Sequence, residues 1–151
     1  MKHLYTITAI ISTFIIFTSC GKWQDPESRL EGNWKLNDVV KRRAFNNDHL
    51  LTGYEQGVFS FFNNGTAIYK DSLLNMTGNW NMHNEDRSYY DANGDWHQQT
   101  NLVLRIRLVD FPSNRFIDWD FDEIQFKRSS DRLDGFIYSA SFSYQYSFRR
   151  Q

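Results

Sequence analysis

The sequence predicts an all-β protein, an eight-stranded antiparallel up-and-down β-barrel. Three observations favour this fold class. Aromatic residues make up 17% of the chain, mostly Phe and Tyr, which suit a pleated, half-buried surface. From Leu30 onward the hydrophobic period is two, and turn signals separate about eight strand candidates. An eight-stranded sandwich is the alternative, but a closed barrel removes the edge strands that a helix-poor protein must otherwise protect.

Length and charge limit the architecture and the partners. The chain has 151 residues, which is room for one domain, and we place that domain at residues 30–151. The formal net charge is −1, so the chain as a whole lacks the basic character that attracts nucleic acid. We therefore expect no nucleic-acid partner.

The first strand is predicted in "GNWKLNDVV", where Trp34 and Leu36 share one face and Lys35 and Asn37 the other. This alternation is typical of a strand with one buried face. The following segment, residues 41–56, has no convincing period and is expected to hold a helical turn or an ordered loop.

A hairpin is predicted in "VFSFFNNGTAIYK". Asn64-Gly65 is a strong signal for a two-residue type I′ turn, because both positions tolerate positive φ. Such a turn places Phe61 opposite Ile68. The fourth strand, "LLNMTGNWNM", turns Trp80 inward, and the polar residues 83–100 after it are expected to form a long flexible loop.

The next hairpin, residues 101–123, has one register that satisfies both faces. With residues 111–114 as the loop, Ile106 faces Trp119 in the core and Arg107 faces Asp118 outside. A slip of one residue would reverse both faces. The last two strands are predicted in "RLDGFIYS" and "SFSYQYSFRR".

The inward aromatic residues form the candidate ligand-binding set: Trp34, Phe59, Phe61, Trp80, Trp119, Tyr144 and Tyr146. A barrel of eight strands holds one small ligand or is filled by its own side chains. Flat rings and tyrosine hydroxyls suit an apolar or flat ligand. Few small residues face inward, mainly Gly78 and Gly135, which favours filling, so both alternatives stay open.

The N-terminus differs from the rest of the chain. Lys2 and His3 precede an apolar run from Leu4 to Phe17, which is shorter than the roughly 20 residues of a membrane-spanning helix. A cationic start, a short apolar core and small residues after it are typical of a secretory signal peptide. We place the signal at residues 1–19, directly before Cys20, the only cysteine.

The segment from Phe17 to Cys20 resembles the lipobox of bacterial lipoproteins, although Phe17 stands where Leu is usual. The resemblance implies that Cys20 receives a diacylglycerol on its sulfur, becomes the new N-terminus after cleavage of the signal, and is N-acylated. Several acyl chains make a durable anchor. Residues 20–29 would then be a lipidated tether. Gly21, rather than Asp, after the cysteine implies the outer membrane of a Gram-negative bacterium.

The domain resembles lipocalin-like lipoproteins. Gly32-Asn33-Trp34 matches the Gly-x-Trp of the first lipocalin strand, and "FFNNGT", "TGNW" and "WDFDEIQFKRSSDRL" continue the likeness. The resemblance implies a barrel floor in which Gly32 and Trp34 are structural and a late arginine packs across the Trp34 ring. Arg150 is in phase with the aromatic face of the last strand, so it is preferred over Arg149.

Three acidic or histidine patterns are candidates for a metal site, and none matches a known one. Asp91, Asn93 and Asp95 begin like a calcium loop, but Trp96 and Leu102 stand where that loop needs Gly and Glu.

The carboxylates Asp118, Asp120 and Asp122 share a strand face with opposing arginines. His83 and His97 match no known metal-ligand spacing. We therefore expect no metal.

Enzyme activity has no support in the sequence. It contains no Gly-x-Ser-x-Gly elbow and no thiol near a histidine. A dinucleotide or phosphate-binding fingerprint is also absent, so we expect no cofactor. The sequence thus predicts a membrane-anchored, non-catalytic envelope protein that binds or shields a small apolar ligand. The alternative is a filled barrel that serves as an interaction module for another envelope protein.

Overall fold

A computed structural model describes residues 25–90, 93–127 and 131–151. These residues form one antiparallel sheet of ten strands and one short helix. The elements are α1 (Pro26–Leu30), β1 (Gly32–Arg42), β2 (Asn47–Leu50), β3 (Val58–Phe61), β4 (Thr66–Lys70), β5 (Asn75–Tyr90), β6 (Trp96–Asp110), β7 (Arg115–Phe121), β8 (Glu123–Phe126), β9 (Arg132–Tyr138) and β10 (Ser143–Arg150). The predicted signal peptide and Cys20 lie outside the described residues.

The strands follow one another in up-and-down order, β7-β6-β5-β4-β3-β1-β10-β9-β8, with β2 beside β1. The first strand pairs with the last, as an up-and-down barrel requires. However, the hydrogen-bonded order has two ends, β7 and β8, and is not closed into a barrel. The predicted count of eight strands was wrong because β2 forms within residues 41–56 and one predicted strand is divided.

The division occurs at Asp122, between β7 and β8. In β7 the buried residues are odd-numbered, such as Phe121, whereas in β8 the buried residue is Ile124. The Asp122 backbone N–H donates to the Phe136 carbonyl at 2.8 Å. The chain therefore changes partner from β6 to β9 at this residue, and the two ends of the sheet are consecutive in sequence.

The predicted register of the β6–β7 hairpin is confirmed. Ile106 lies opposite Trp119, and Arg107 lies opposite Asp118. The Arg107 Nε to Asp118 Oδ1 distance is 3.1 Å, and both side chains are about half exposed. Such exposed pairs contribute about 0.2–1 kcal/mol, so they favour the correct register more than they stabilise the fold.

The predicted register of the β3–β4 hairpin was wrong by one residue. Phe61 lies opposite Ala67, not Ile68. The turn has three residues, because Phe62 and Thr66 close it by a 3.0 Å backbone hydrogen bond and only Gly65 has positive φ, at 78°. A three-residue loop ending in a left-handed glycine is the next commonest hairpin after the two-residue type.

The polar segment predicted as a flexible loop is strand at residues 83–90 and 96–100. It continues β5 to Tyr90 and begins β6 at Trp96, and these two residues pair. Arg87 Nη2 donates to Asp122 Oδ1 at 2.7 Å, which ties this extension to the junction of β7 and β8. Backbone pairing with a neighbouring strand stabilises polar residues that carry no hydrophobic pattern.

Part of the segment predicted as a tether, residues 20–29, is helical. Pro26 opens α1, the Asp25 carboxylate caps it by accepting from the Glu27 N–H at 3.3 Å, and Leu30 is fully buried. Proline at the first helical position and Asp at the cap are both favoured there. Across the part of the chain that the structure describes, no helix has the length and apolar character needed to cross a membrane.

The interior leaves little space beside two glycines. A Cβ atom at Gly135 would lie 2.7 Å from the Phe121 ring, so the ring takes the place of a side chain on β9. A Cβ at Gly78 would lie 2.0 Å from the Arg107 carbonyl oxygen. Both positions require glycine, because an aromatic ring lies close to Gly135 and the backbone of a neighbouring strand lies close to Gly78.

We predict that Gly135→Ala destabilises the fold by about 1–3 kcal/mol, the usual cost of overpacking a core. Urea unfolding would measure the change. Adding Phe121→Leu should recover part of the loss, since the two residues share one space. Strictly additive effects would contradict this packing.

Candidate functional site

The seven predicted ligand-binding residues divide into two groups. Trp34, Phe59, Phe61 and Trp80 are buried, with exposed fractions of 0–7%, and they belong to the core. Trp119, Tyr144 and Tyr146 are only half-buried. The second group is therefore the part of the predicted set that solvent, or a ligand, can reach.

Trp119 connects the two groups. Its ring centroid lies 5.6 Å from that of Phe59, 5.8 Å from Tyr54 and 5.0 Å from Tyr146. Tyr54 comes from the segment between β2 and β3, and its hydroxyl donates to the Phe116 carbonyl at 3.4 Å. The segment predicted as an ordered loop thus places an aromatic ring over Trp119.

The β10 tyrosines lie on the inner face of the sheet. Tyr146 packs against Trp119 and also against Phe121, at 5.2 Å between centroids. Tyr144 lies two residues away in the same strand and therefore shares this face. It pairs with Ile137 on one side and with Lys41 on the other.

Lys41 was not among the predicted site residues. Simple alternation from Trp34 puts odd-numbered residues of β1 on the outer face. A bulge between Leu36 and Asp38 shifts the register, so Val39 is buried and Lys41 follows it on the inner face. A β-bulge reverses the phase of a strand, and no residue type in "KLNDVV" marks its position.

Lys41 lies among aromatic rings. Its Nζ is 4.1 Å from the Phe142 ring centroid and 5.5 Å from that of Tyr144, both within the range of cation–π attraction. We call Lys41, Trp119, Phe142, Tyr144 and Tyr146 the aromatic mouth. The mouth lies at the end of the sheet opposite α1, because Lys41 is near the C-terminal end of β1.

Three polar atoms of the aromatic mouth have no hydrogen-bond or ion-pair partner among the described residues: Lys41 Nζ, Tyr144 Oη and Tyr146 Oη. Within the same residues, every fully buried polar side-chain atom has a partner, so these three must be open to solvent. Burial raises the pKa of Tyr146, so its hydroxyl stays neutral and able to donate near pH 7.

The opposite end of the sheet is closed by Arg150. Its guanidinium carbon lies 4.6 Å from the Trp34 ring centroid, the contact expected for the floor. Nη1 donates to the Glu31 carbonyl at 2.7 Å and Nη2 to the Arg29 carbonyl at 2.5 Å. The guanidinium thus binds an aromatic face and the end of α1 together.

Gly32 and Trp34 complete this closed end. Gly32 has φ of +112°, and a Cβ there would lie 2.9 Å from Arg150 Nη1. The Trp34 indole N–H donates to the Leu30 carbonyl at 2.7 Å. A side chain at position 32 would be strained and would displace the arginine.

Acidic and histidine side chains of the rejected metal patterns make other contacts. Asp118 and Asp120 pair with Arg107 and Arg105, and His83 contacts Asn81. Among the described residues, no group of three or more His, Cys, Asp or Glu side chains is placed to hold a metal. Asp91, of the rejected calcium pattern, lies outside those residues.

Asp122 and Glu123 both contact Tyr138. Asp122 accepts from the Tyr138 backbone N–H at 2.7 Å, and Glu123 accepts from the Tyr138 hydroxyl at 2.8 Å. Burial, together with the hydrogen bond to Glu123, raises the pKa of Tyr138 to about 12. Both carboxylates are therefore engaged in holding β8 to β9.

The outer face of β5–β7 carries two adjoining depressions that share Asn79 and Arg107. Their volumes are about 300 and 350 Å³. Phe116, beside the first, is 71% exposed. These features belong to the outer surface and not to the aromatic mouth.

Comparison of the chain with protein-family models, with curated proteins and with solved structures finds no match.

We predict that Arg150→Ala lowers the free energy of unfolding by about 2–4 kcal/mol, because it removes a cation–π contact and two hydrogen bonds to a charged group. Arg149→Ala is the matched control. Its side chain is exposed, so its effect should stay within about 0.5 kcal/mol. Equal effects of the two substitutions in chemical denaturation would contradict this role for Arg150.

Proposed function

We propose that this protein is a lipid-anchored, lipocalin-like protein of the cell envelope that binds a small apolar ligand at the aromatic mouth. One observation carries the proposal. On the inner face, Trp119, Tyr144 and Tyr146 are half-buried, whereas the remaining members of the predicted set fill the core. Binding pockets typically combine apolar walls with a few polar groups that orient the ligand.

For this function we propose that the sheet is closed into a barrel. The first and last strands pair, and β7 and β8, the two ends of the strand order, are separated only by Asp122. The hydrogen bond from Asp122 to Phe136 connects these ends to β9. Closure at this point would give eight strands around one interior, with the mouth at one end.

The ligand chemistry follows from the walls of the mouth. Trp119 and the two tyrosines present flat rings, and flat or extended apolar groups pack well against such rings. The hydroxyls of Tyr144 and Tyr146, which bond to no other described residue, would orient the ligand. We propose no chemistry on the ligand and no cofactor.

The proposed anchor is Cys20, which would hold the protein in the outer membrane of a Gram-negative bacterium, with the domain in the periplasm or at the surface. Residues 21–24 separate Cys20 from Asp25, and five residue steps span at most about 18 Å. Such a tether would keep α1 and the closed end beside the bilayer. The aromatic mouth would then face away from the membrane.

A second candidate function is an interaction module for another envelope protein. The packing of Phe59, Trp119 and Phe121 and the loss of space at Gly135 favour a filled interior. The two depressions on the outer face would then offer the contact surface.

We predict that Tyr144→Ala weakens binding of a neutral probe, 4-phenylbutan-1-ol, by about tenfold, because removing one stacking ring costs roughly 1.4 kcal/mol. Calorimetry on the lipidated protein in nanodiscs would measure it, with empty nanodiscs as the blank. Phe116→Ala removes an outer-face ring as the control and should leave the affinity unchanged. A wild-type protein that binds no such probe would favour the interaction module.

We also predict that Cys20→Ala releases the protein from lipid attachment. Labelled palmitate should be incorporated into the wild-type chain and not into the variant. Equal labelling of both chains would contradict lipidation at Cys20.

A further inference from the structure

We infer that the ligand of the aromatic mouth is an apolar molecule that carries one carboxylate, bound by Lys41 Nζ and by the hydroxyls of Tyr144 and Tyr146. This inference rests on the proposed function and adds the charge of the ligand to it. The structural basis is a cation on the inner face that no anion of the described chain neutralises.

The first step is the position of Lys41. The β1 bulge turns this side chain inward, where it is half-buried over the rings of Phe142 and Tyr144. A partly desolvated ammonium loses hydration, and the rings compensate only part of that loss. An anion brought to the same place would compensate the rest.

The carboxylate nearest to Lys41 along the sheet has other partners. The residue directly opposite Lys41 in β2 is Asp48. Its carboxylate already accepts from the Arg43 guanidinium and, at 2.8 Å, from the Asn46 amide. On the other side Lys41 faces Tyr144, which has no charge to offer. Among the described residues, Lys41 therefore has no ion-pair partner.

The number of cationic side chains at the mouth limits the charge of the ligand. Arg42, the next residue, donates to the Gln145 amide oxygen at 2.8 Å and, by alternation, lies on the other face of β1. The mouth thus offers one cation, a compact ammonium without the planar fork that binds phosphate bidentately. One ammonium and two neutral hydroxyl donors match a singly charged carboxylate.

The last step is the fit of the apolar part. From Lys41 the inner face leads past Tyr144 to Tyr146 and then to Trp119, which packs on Tyr146. A molecule with its carboxylate at Lys41 would lay its apolar body along these rings. Lys41 lies near the end of β1, whereas Trp119 packs on the core ring of Phe59, so the charge and the apolar rings are arranged as in an amphiphile.

The test compares 4-phenylbutyrate with 4-phenylbutan-1-ol, two probes of similar shape that differ in charge. Calorimetry uses the lipidated protein in nanodiscs. We expect the carboxylate to bind at least about tenfold tighter than the alcohol, since a charge-assisted hydrogen bond replaces a neutral one. Lys41→Met should remove this preference for the carboxylate over the alcohol, whereas Lys41→Arg should keep most of it.

The matched control is Lys35→Met, on the same strand but the outer face, which should change neither affinity. Thermal unfolding of each variant checks the fold. If the alcohol binds and the carboxylate binds no tighter, or if Lys35→Met and Lys41→Met act alike, the inference about charge is overturned while the proposed function stands. If neither probe binds the wild-type protein, both are overturned.

Discussion

The pairing of the first strand with the last is the constraint on which both ends of this protein depend. One antiparallel ladder, β1 with β10, places Trp34 opposite Arg150 at one end and Lys41 opposite Tyr144 at the other. The residues it joins are more than 100 positions apart in sequence. Forming this ladder closes a very long loop, and that entropic cost must be offset by the contacts at its ends.

The two ends of this ladder differ because of the bulge between Leu36 and Asp38. Before the bulge, Leu36 and Phe148 face each other in the core. After it the phase of β1 is reversed, and a lysine takes an inward position that regular alternation would give to its neighbours. At the closed end, Arg150 makes a cation–π contact and hydrogen bonds within the chain. At the mouth, one cation and two hydroxyls have no partner among the residues that the structure describes.

The sequence predicts the all-β antiparallel class correctly, because period-two alternation and turn chemistry are local signals. The β6–β7 register is predictable because hydrophobic residues and charges agree on it, so no other register satisfies both faces. Asn64-Gly65 marks a turn correctly but does not distinguish a two-residue from a three-residue loop. The predicted β3–β4 register was therefore wrong by one residue. The extension of β5 and β6 through residues 83–100 carries no hydrophobic pattern, and its pairing follows from backbone hydrogen bonds that any residue can make.

The candidate site was only partly predictable, because alternation identifies which rings face inward but not which rings are covered by other side chains. The packing is needed to show that Trp34 is buried whereas Tyr146 is half-buried. The inward position of Lys41 depends on the β1 bulge, and the break at Asp122 depends on a change of partner strand. Neither has a residue signature in this chain.

The most direct test of this account is a cross-linking measurement of the β1–β10 register beyond the bulge. Two double variants are compared, Val40→Cys with Gln145→Cys and Val40→Cys with Tyr144→Cys, and disulfide formation is followed by the loss of free thiols. A disulfide needs Cβ atoms about 3.5–4.5 Å apart, and in this structure Val40 lies opposite Gln145. We predict that the first pair closes readily and the second does not. Preferential closure of the second pair would mean a ladder without the bulge, in which Lys41 faces outward.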